Sequence, residues 1–126
     1  MPSQYFVRAS IDPSGQFASC LYFYDYAAKQ PVEGDRLVIP QQAGGCTIGQ
    51  AEGSALTLLG AVFKTLGHPA SMNDKNFTPS NDEGMVVIPM PTTNTVEKGV
   101  VLMFSNAGQV DGLYASTDPV VVNSDD

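Results

Sequence analysis

Apolar and polar positions alternate from the start of the chain: Tyr5, Val7, Ala9 and Ile11 take every second place, with Phe6, Arg8 and Ser10 between them. A period of two marks a strand with one face buried, because successive side chains of extended backbone point to opposite sides. Asp12-Pro13-Ser14-Gly15 then supplies turn residues. Proline and glycine there match the backbone angles a tight turn needs, so the first two runs read as a hairpin. In the second run both faces are apolar. Phe17, Ser19, Leu21 and Phe23 share one, and Ala18, Cys20, Tyr22 and Tyr24 share the other. Phe17 and Phe23 can serve as core while Tyr22 and Tyr24 lie on the opposite face.

Short runs recur between turn signals all along the chain. Arg36-Leu37-Val38-Ile39 stops at Pro40, and Gly44-Gly45-Cys46-Thr47-Ile48-Gly49 reads as a strand with glycine at both ends. Residues 54–67 fit two patterns. Ala55, Leu59, Val62, Phe63 and Leu66 make a helical stripe, and a pair of strands broken at Gly60-Ala61 fits as well. Gly60 and the surrounding β pattern favour strand. Residues 68–84 form a polar loop, with brief strand contacts over residues 75–78. Strands follow at Met85-Val86-Val87-Ile88, at residues 100–104 and 113–116, and at Val120-Val121-Val122 after Asp118-Pro119. Seven to nine short strands without a helical pair predict an all-β fold with little helix. The expected architecture is a single antiparallel β-sandwich over residues 1–126, with Ig-like, Greek-key layering.

A chain of 126 residues with 43% hydrophobic positions can build one core of its own. The balance of 13 acidic against 6 basic side chains, net −7, changes the picture of its partners. Arg8, Lys29, Arg36, Lys64, Lys75 and Lys98 stand singly, whereas phosphate-rich partners need clustered cations, so neither nucleic acid nor a membrane is an expected partner. No run approaches the ~20 apolar residues of a membrane span. Met1-Pro2-Ser3-Gln4-Tyr5 has no basic start before an apolar stretch, which makes the cytoplasm the expected location. Cys20 and Cys46 then read as two free thiols.

Candidate chemistry is sparse. His68, the one histidine, precedes Pro69 in the polar loop and reads as a solvated side chain. A zinc site of His68, Cys20 and Cys46 lacks ligand spacing. Asp74, Asn76, Asn81, Asp82 and Glu83 put five oxygen-bearing side chains in one loop, but without the twelve-residue calcium pattern they read as turn formers. Gly44-Gly45 and Gly49 lack the spacing of a phosphate cradle. No catalytic residue, metal site or cofactor is expected. Seven of the eleven aromatic residues lie at or before Tyr26, and Tyr22, Tyr24 and Tyr26 are the candidate ligand-binding residues, since exposed rings stack on sugars or anchor partners.

Phe77-Thr78-Pro79-Ser80-Asn81-Asp82, a Thr-rich turn over residues 91–95, Phe104-Ser105-Asn106 and Leu113-Tyr114-Ala115-Ser116-Thr117-Asp118-Pro119 follow one another in an order that resembles the small bacterial DP-EP family. Gly34-Asp35 before a strand and Gly45-Cys46-Thr47 after it are also similar. Asp118-Pro119 matches the first of that family's two named motifs, whereas Ser124-Asp125-Asp126 stands where a Glu-Pro is expected. The resemblance implies a compact β-sandwich and no known chemistry.

The leading expectation is a non-catalytic binding or assembly module that self-associates into a homo-oligomer, or docks a protein or small ligand. Tyr22 with Tyr24 is one candidate patch, and Val120-Val121-Val122, as an uncovered edge, is the other. The alternative is a sandwich binding carbohydrate or another small ligand through Tyr22, Tyr24 and Tyr26. A third expectation, from a different class, is a carboxylate-dependent hydrolase using Asp82 with Glu83, or Asp35.

Overall fold

The structure, a computed structural model, describes residues 2–67, 76–107 and 112–124. Extended backbone dominates because β-branched and aromatic residues fill the short runs, and turn residues end each of them. Among the described residues there are ten strands: β1 (Gln4–Ile11), β2 (Phe17–Phe23), β3 (Arg36–Ile39), β4 (Gly45–Gln50), β5 (Thr57–Thr65), β6 (Phe77–Pro79), β7 (Val86–Pro89), β8 (Glu97–Ser105), β9 (Leu113–Ser116) and β10 (Val120–Asn123). A 3₁₀ turn at Gln41–Ala43 is the one helical element among them.

The sheet is mixed. Its order runs β3-β10-β8-β9-β2-β1-β4-β7, with β5 and β6 attached at the other edge of β8. β1 with β4, β10 with β3 and β2 with β9 are parallel, which corrects the antiparallel expectation. The runs themselves could not reveal this, because strand direction depends on connections that leave and re-enter the sheet.

β8 is the branch point. β10 pairs with Glu97, Lys98 and Gly99, β9 pairs with Met103, Phe104 and Ser105 on the same edge, and β5 pairs along nearly the whole of the other edge. β5 also touches β7 without hydrogen-bonding to it. One buried apolar cluster draws on both arms of the fork, from Tyr5, Val7 and Tyr22 to Leu58, Phe63, Leu102, Phe104 and Val121.

Within residues 54–67 the strand reading holds: β5 covers Thr57–Thr65 without the break expected at Gly60-Ala61, though its register shifts between Leu58 and Gly60. Gly60 is required there, since a Cβ would lie 2.8 Å from the Thr78 carbonyl oxygen on β6.

On β2 the bulk-based reading holds only in part. Phe23 is buried and Tyr24 exposed as expected, but Phe17 and Leu21 are exposed while Ala18 and Tyr22 are buried. The hairpin register decides this: Tyr22 lies opposite Val7 and Cys20 opposite Ala9, so they follow the buried face of β1. Val120-Val121-Val122 is likewise no edge. β10 is paired on both sides, and Val121 and Val122 are buried.

Candidate functional site

The fork in β8 leaves a gap between β10 and β9, and the segment joining those two strands closes it. The Val100 N–H donates to the Pro119 carbonyl (2.9 Å), and the Leu102 N–H donates to Ser116 Oγ (2.8 Å). The Ser116 hydroxyl in turn donates to the Asp118 carbonyl. These bonds pin Asp118 in place. Its Oδ1 accepts a 2.7 Å hydrogen bond from the hydroxyl of Tyr22, a residue 96 positions earlier whose ring is almost wholly buried, at 2% exposed. On the β3 side the Val120 N–H donates to the Asp35 carbonyl (3.0 Å), which brings Asp35 to the same corner.

Two hollows, each of about 460 Å³, meet there, and Asp35 and Asp118 line both. The first lies over β5 and β8, where Val62, Val101, Leu66, Pro119 and Val120 supply apolar surface and Lys64, Thr117 and Asn76 supply polar groups. Gly99 makes room for it, since a Cβ there would sit 3.1 Å from Leu66 Cδ2. The second is lined by Cys20, Leu21, Val32 and Gly34 besides the two carboxylates.

Burial raises the proton affinity of Asp118 above that of an ordinary carboxyl. The Tyr22 hydrogen bond works against the shift, and the charge of Asp35 adds to it. Burial also drives the Tyr22 hydroxyl well upward, helped by Cys20 and Asp118. The thiols of Cys20 and Cys46 are free, and burial pushes both to about 12. Burial therefore holds both thiols protonated at neutral pH.

An apolar row extends the first hollow. Phe77 on β6, Val62 on β5 and Val101 on β8 are direct cross-strand neighbours, 55%, 46% and 37% exposed.

The three candidate tyrosines do not form one surface. Tyr22 faces the core and Asp118. Tyr24 (44% exposed) has its ring 5.6 Å from Tyr5, and Tyr26 (59% exposed) meets Phe6 edge-on at 6.1 Å. Tyr26 does line a third hollow, of about 440 Å³, with Gln50, Asp82, Glu83 and Met85. Asn81 is engaged in turn chemistry, its Oδ1 accepting from the N–H groups of Glu83 (2.9 Å) and Met85 (3.1 Å). Asn76 belongs to the β5–β8 hollow, so the oxygen-bearing loop residues are divided between two places. Asp74 and His68 lie outside the described residues, and with His68 so does the zinc combination disfavoured from its spacing. Among the described residues, no group of three His, Cys, Asp or Glu side chains is arranged to hold a metal ion. No helix there is long and apolar enough to cross a membrane.

Asp118 went unnoticed as a site residue in the sequence because its partners come from β2, β8 and the start of β3. The one local signal was an Asp-Pro placed directly before an apolar strand. No protein-family model matches the chain, and no curated protein or solved structure shows significant similarity to it.

Proposed function

We propose that the chain is a non-catalytic binding module and that its ligand, a small molecule with an apolar body, occupies the hollow over β5 and β8. One observation carries this reading: a hollow of about 460 Å³, bordered by exposed Val62 and by its cross-strand neighbour Phe77, is lined mainly by apolar residues with a few polar groups among them. Sites for small organic ligands have that composition and that scale. A two-layer arrangement of the strands belongs to the same proposal, with the β6-β5-β8-β10-β3 arm facing the β9-β2-β1-β4-β7 arm and the hollow on the outside of one layer. The resemblance to the DP-EP family is also part of it, and Asp118-Pro119, which carries that resemblance, lines the hollow. The thiols held protonated at neutral pH, and Asp82 and Glu83 on an exposed turn, favour binding over catalysis.

The test is an amide NMR titration with n-octanol as probe. Shifts are expected to centre on Val62, Val101 and Val120. Shifts confined to other strands, or none up to the solubility limit, would remove the reading.

A second reading has its own observation. Tyr26 beside Gln50, Asp82 and Glu83 joins a ring face to hydrogen-bonding side chains, the combination that holds sugars. Saturation-transfer NMR with a panel of mono- and disaccharides, run on the protein and on Tyr26→Ala, tests it. Signals that Tyr26→Ala does not weaken would exclude this site.

A further inference from the structure

We propose that the ligand of the β5–β8 hollow is a cationic amphiphile: an alkyl or aryl ammonium whose apolar body lies over Val62 and Val101 and whose charged head sits against Asp118 and Asp35. The inference rests on the binding reading above and adds the chemical class of the ligand.

Charge complementarity selects the head group. Both carboxylates line the hollow at the β3–β10 corner. Asp118 accepts from the neutral Tyr22 hydroxyl (2.7 Å). Among the described residues, no Lys or Arg nitrogen lies within ion-pair distance of either carboxylate, and the exposed Arg36–Glu97 contact of 2.6 Å uses the nearest basic residue in the chain elsewhere. Among the described residues Lys64 is the single cation lining the hollow, against the two carboxylates.

Desolvation points the same way. Asp118 is already half-buried, and an apolar body entering the hollow covers it further. Covering an ionised carboxylate is costly unless a counter-charge arrives with the cover. A neutral ligand therefore works against Asp118, an anionic one against both carboxylates, and a cationic one supplies what the corner lacks. The protein's net charge of −7 also draws cations towards it and repels anions.

The groups facing Asp118 set its pH response. They are Asp35 ahead of β3, Cys20 and Tyr22 on β2, and Lys64 across the hollow on β5. Cys20 and Tyr22 stay neutral through the working range. Protonation of Asp118 is then what weakens the preference for a cation.

The experiment compares three probes of one chain length (n-octylammonium, n-octanol and octanoate) by NMR titration of the whole chain at neutral pH and at about pH 4. Octylammonium is expected to bind about fivefold more tightly than octanol at neutral pH, a typical upper value for one partly solvated charge pair. That margin should shrink at the lower pH. Asp118→Asn and Asp35→Asn should each reduce it while leaving octanol affinity unchanged or improved. Asp35 is exposed, so Asp35→Asn remains informative if Asp118→Asn folds poorly. Equal affinity for octylammonium and octanol overturns the inference and leaves the apolar hollow standing. Tightest binding of octanoate also overturns it and makes Lys64 the head-group partner. Absence of any probe from the β5–β8 face overturns the underlying reading and the inference with it.

Discussion

Burial and the neighbouring charge of Asp35 disfavour the ionised form of Asp118, and the Tyr22 hydroxyl partly restores it. Because the native pKa lies above the unfolded one, near 4, the native state holds the extra proton between the two values. Stability from this residue is therefore full below about pH 4 and lost as pH rises through the native pKa. Asp12 has the opposite sign. Ser14 donates to it at 2.8 Å and lowers its pKa, so its contribution is present above the unfolded value and lost only in stronger acid. The two windows do not overlap. Asp118→Asn keeps an oxygen for the Tyr22 hydroxyl but cannot ionise, so its stability relative to the parent should improve as pH rises from about 4.5 to 7.5. Urea midpoints for both proteins across that range check the direction. A gap that stays constant, or widens against the variant with rising pH, would contradict the placement of Asp118.

Element by element, β5 shows how closely one residue can control an edge. Gly60 faces the Thr78 carbonyl of β6, and an added Cβ at 2.8 Å from that oxygen forces the two backbones apart. Gly60→Ala should cost about 1–3 kcal/mol, the range for overpacking a fitted contact, measured by chemical denaturation. Amide exchange in β6 should rise more than exchange in β1 or β2. A loss under about 0.5 kcal/mol would mean that β6 does not sit where described. Alternation was enough to read β1, and Pro and Gly were enough to place most strand ends. On β2 it was ambiguous because both faces are apolar, and side-chain bulk was right for Phe23 but wrong for Phe17 and Tyr22. Hairpin parity held the answer: Ile11 pairs with Ala18, and any register of that parity puts Cys20 and Tyr22 on the buried side with Val7 and Ala9. The three parallel pairings were not legible at all. Nor was the role of Asn123, fully buried, which joins β10 to the segment ahead of β8 by accepting from the Val96 N–H and donating to the carbonyls of Pro91 and Asn94. Such contacts depend on which distant segments meet, and a local pattern does not encode that.

For the whole molecule, self-association has to be relocated. Tyr22 is buried, which leaves only Tyr24 of that pair exposed, and β10 is paired on both sides, so neither expected surface is available whole. The row Phe77–Val62–Val101 is the replacement, and it borders the hollow proposed to bind ligand. Its outer strand, β6, is three residues long and contains Pro79, which blunts edge pairing, so contact between copies would be side chain to side chain. Two chains of net charge −7 repel each other over about a Debye length, which is roughly 10 Å at 0.1 M salt and some threefold longer at 0.01 M. At ~100 μM we therefore expect a monomer at low salt and a growing dimer fraction as salt rises, read by light scattering. Val62→Asp should abolish the dimer at every salt concentration, because it places a charge at the centre of the row. Octylammonium should return the parent to monomer, since ligand and partner compete for the same residues. A dimer that Val62→Asp leaves intact would show that a different surface drives assembly. A dimer that strengthens as salt is removed would show that opposite charges, rather than this apolar row, hold the copies together.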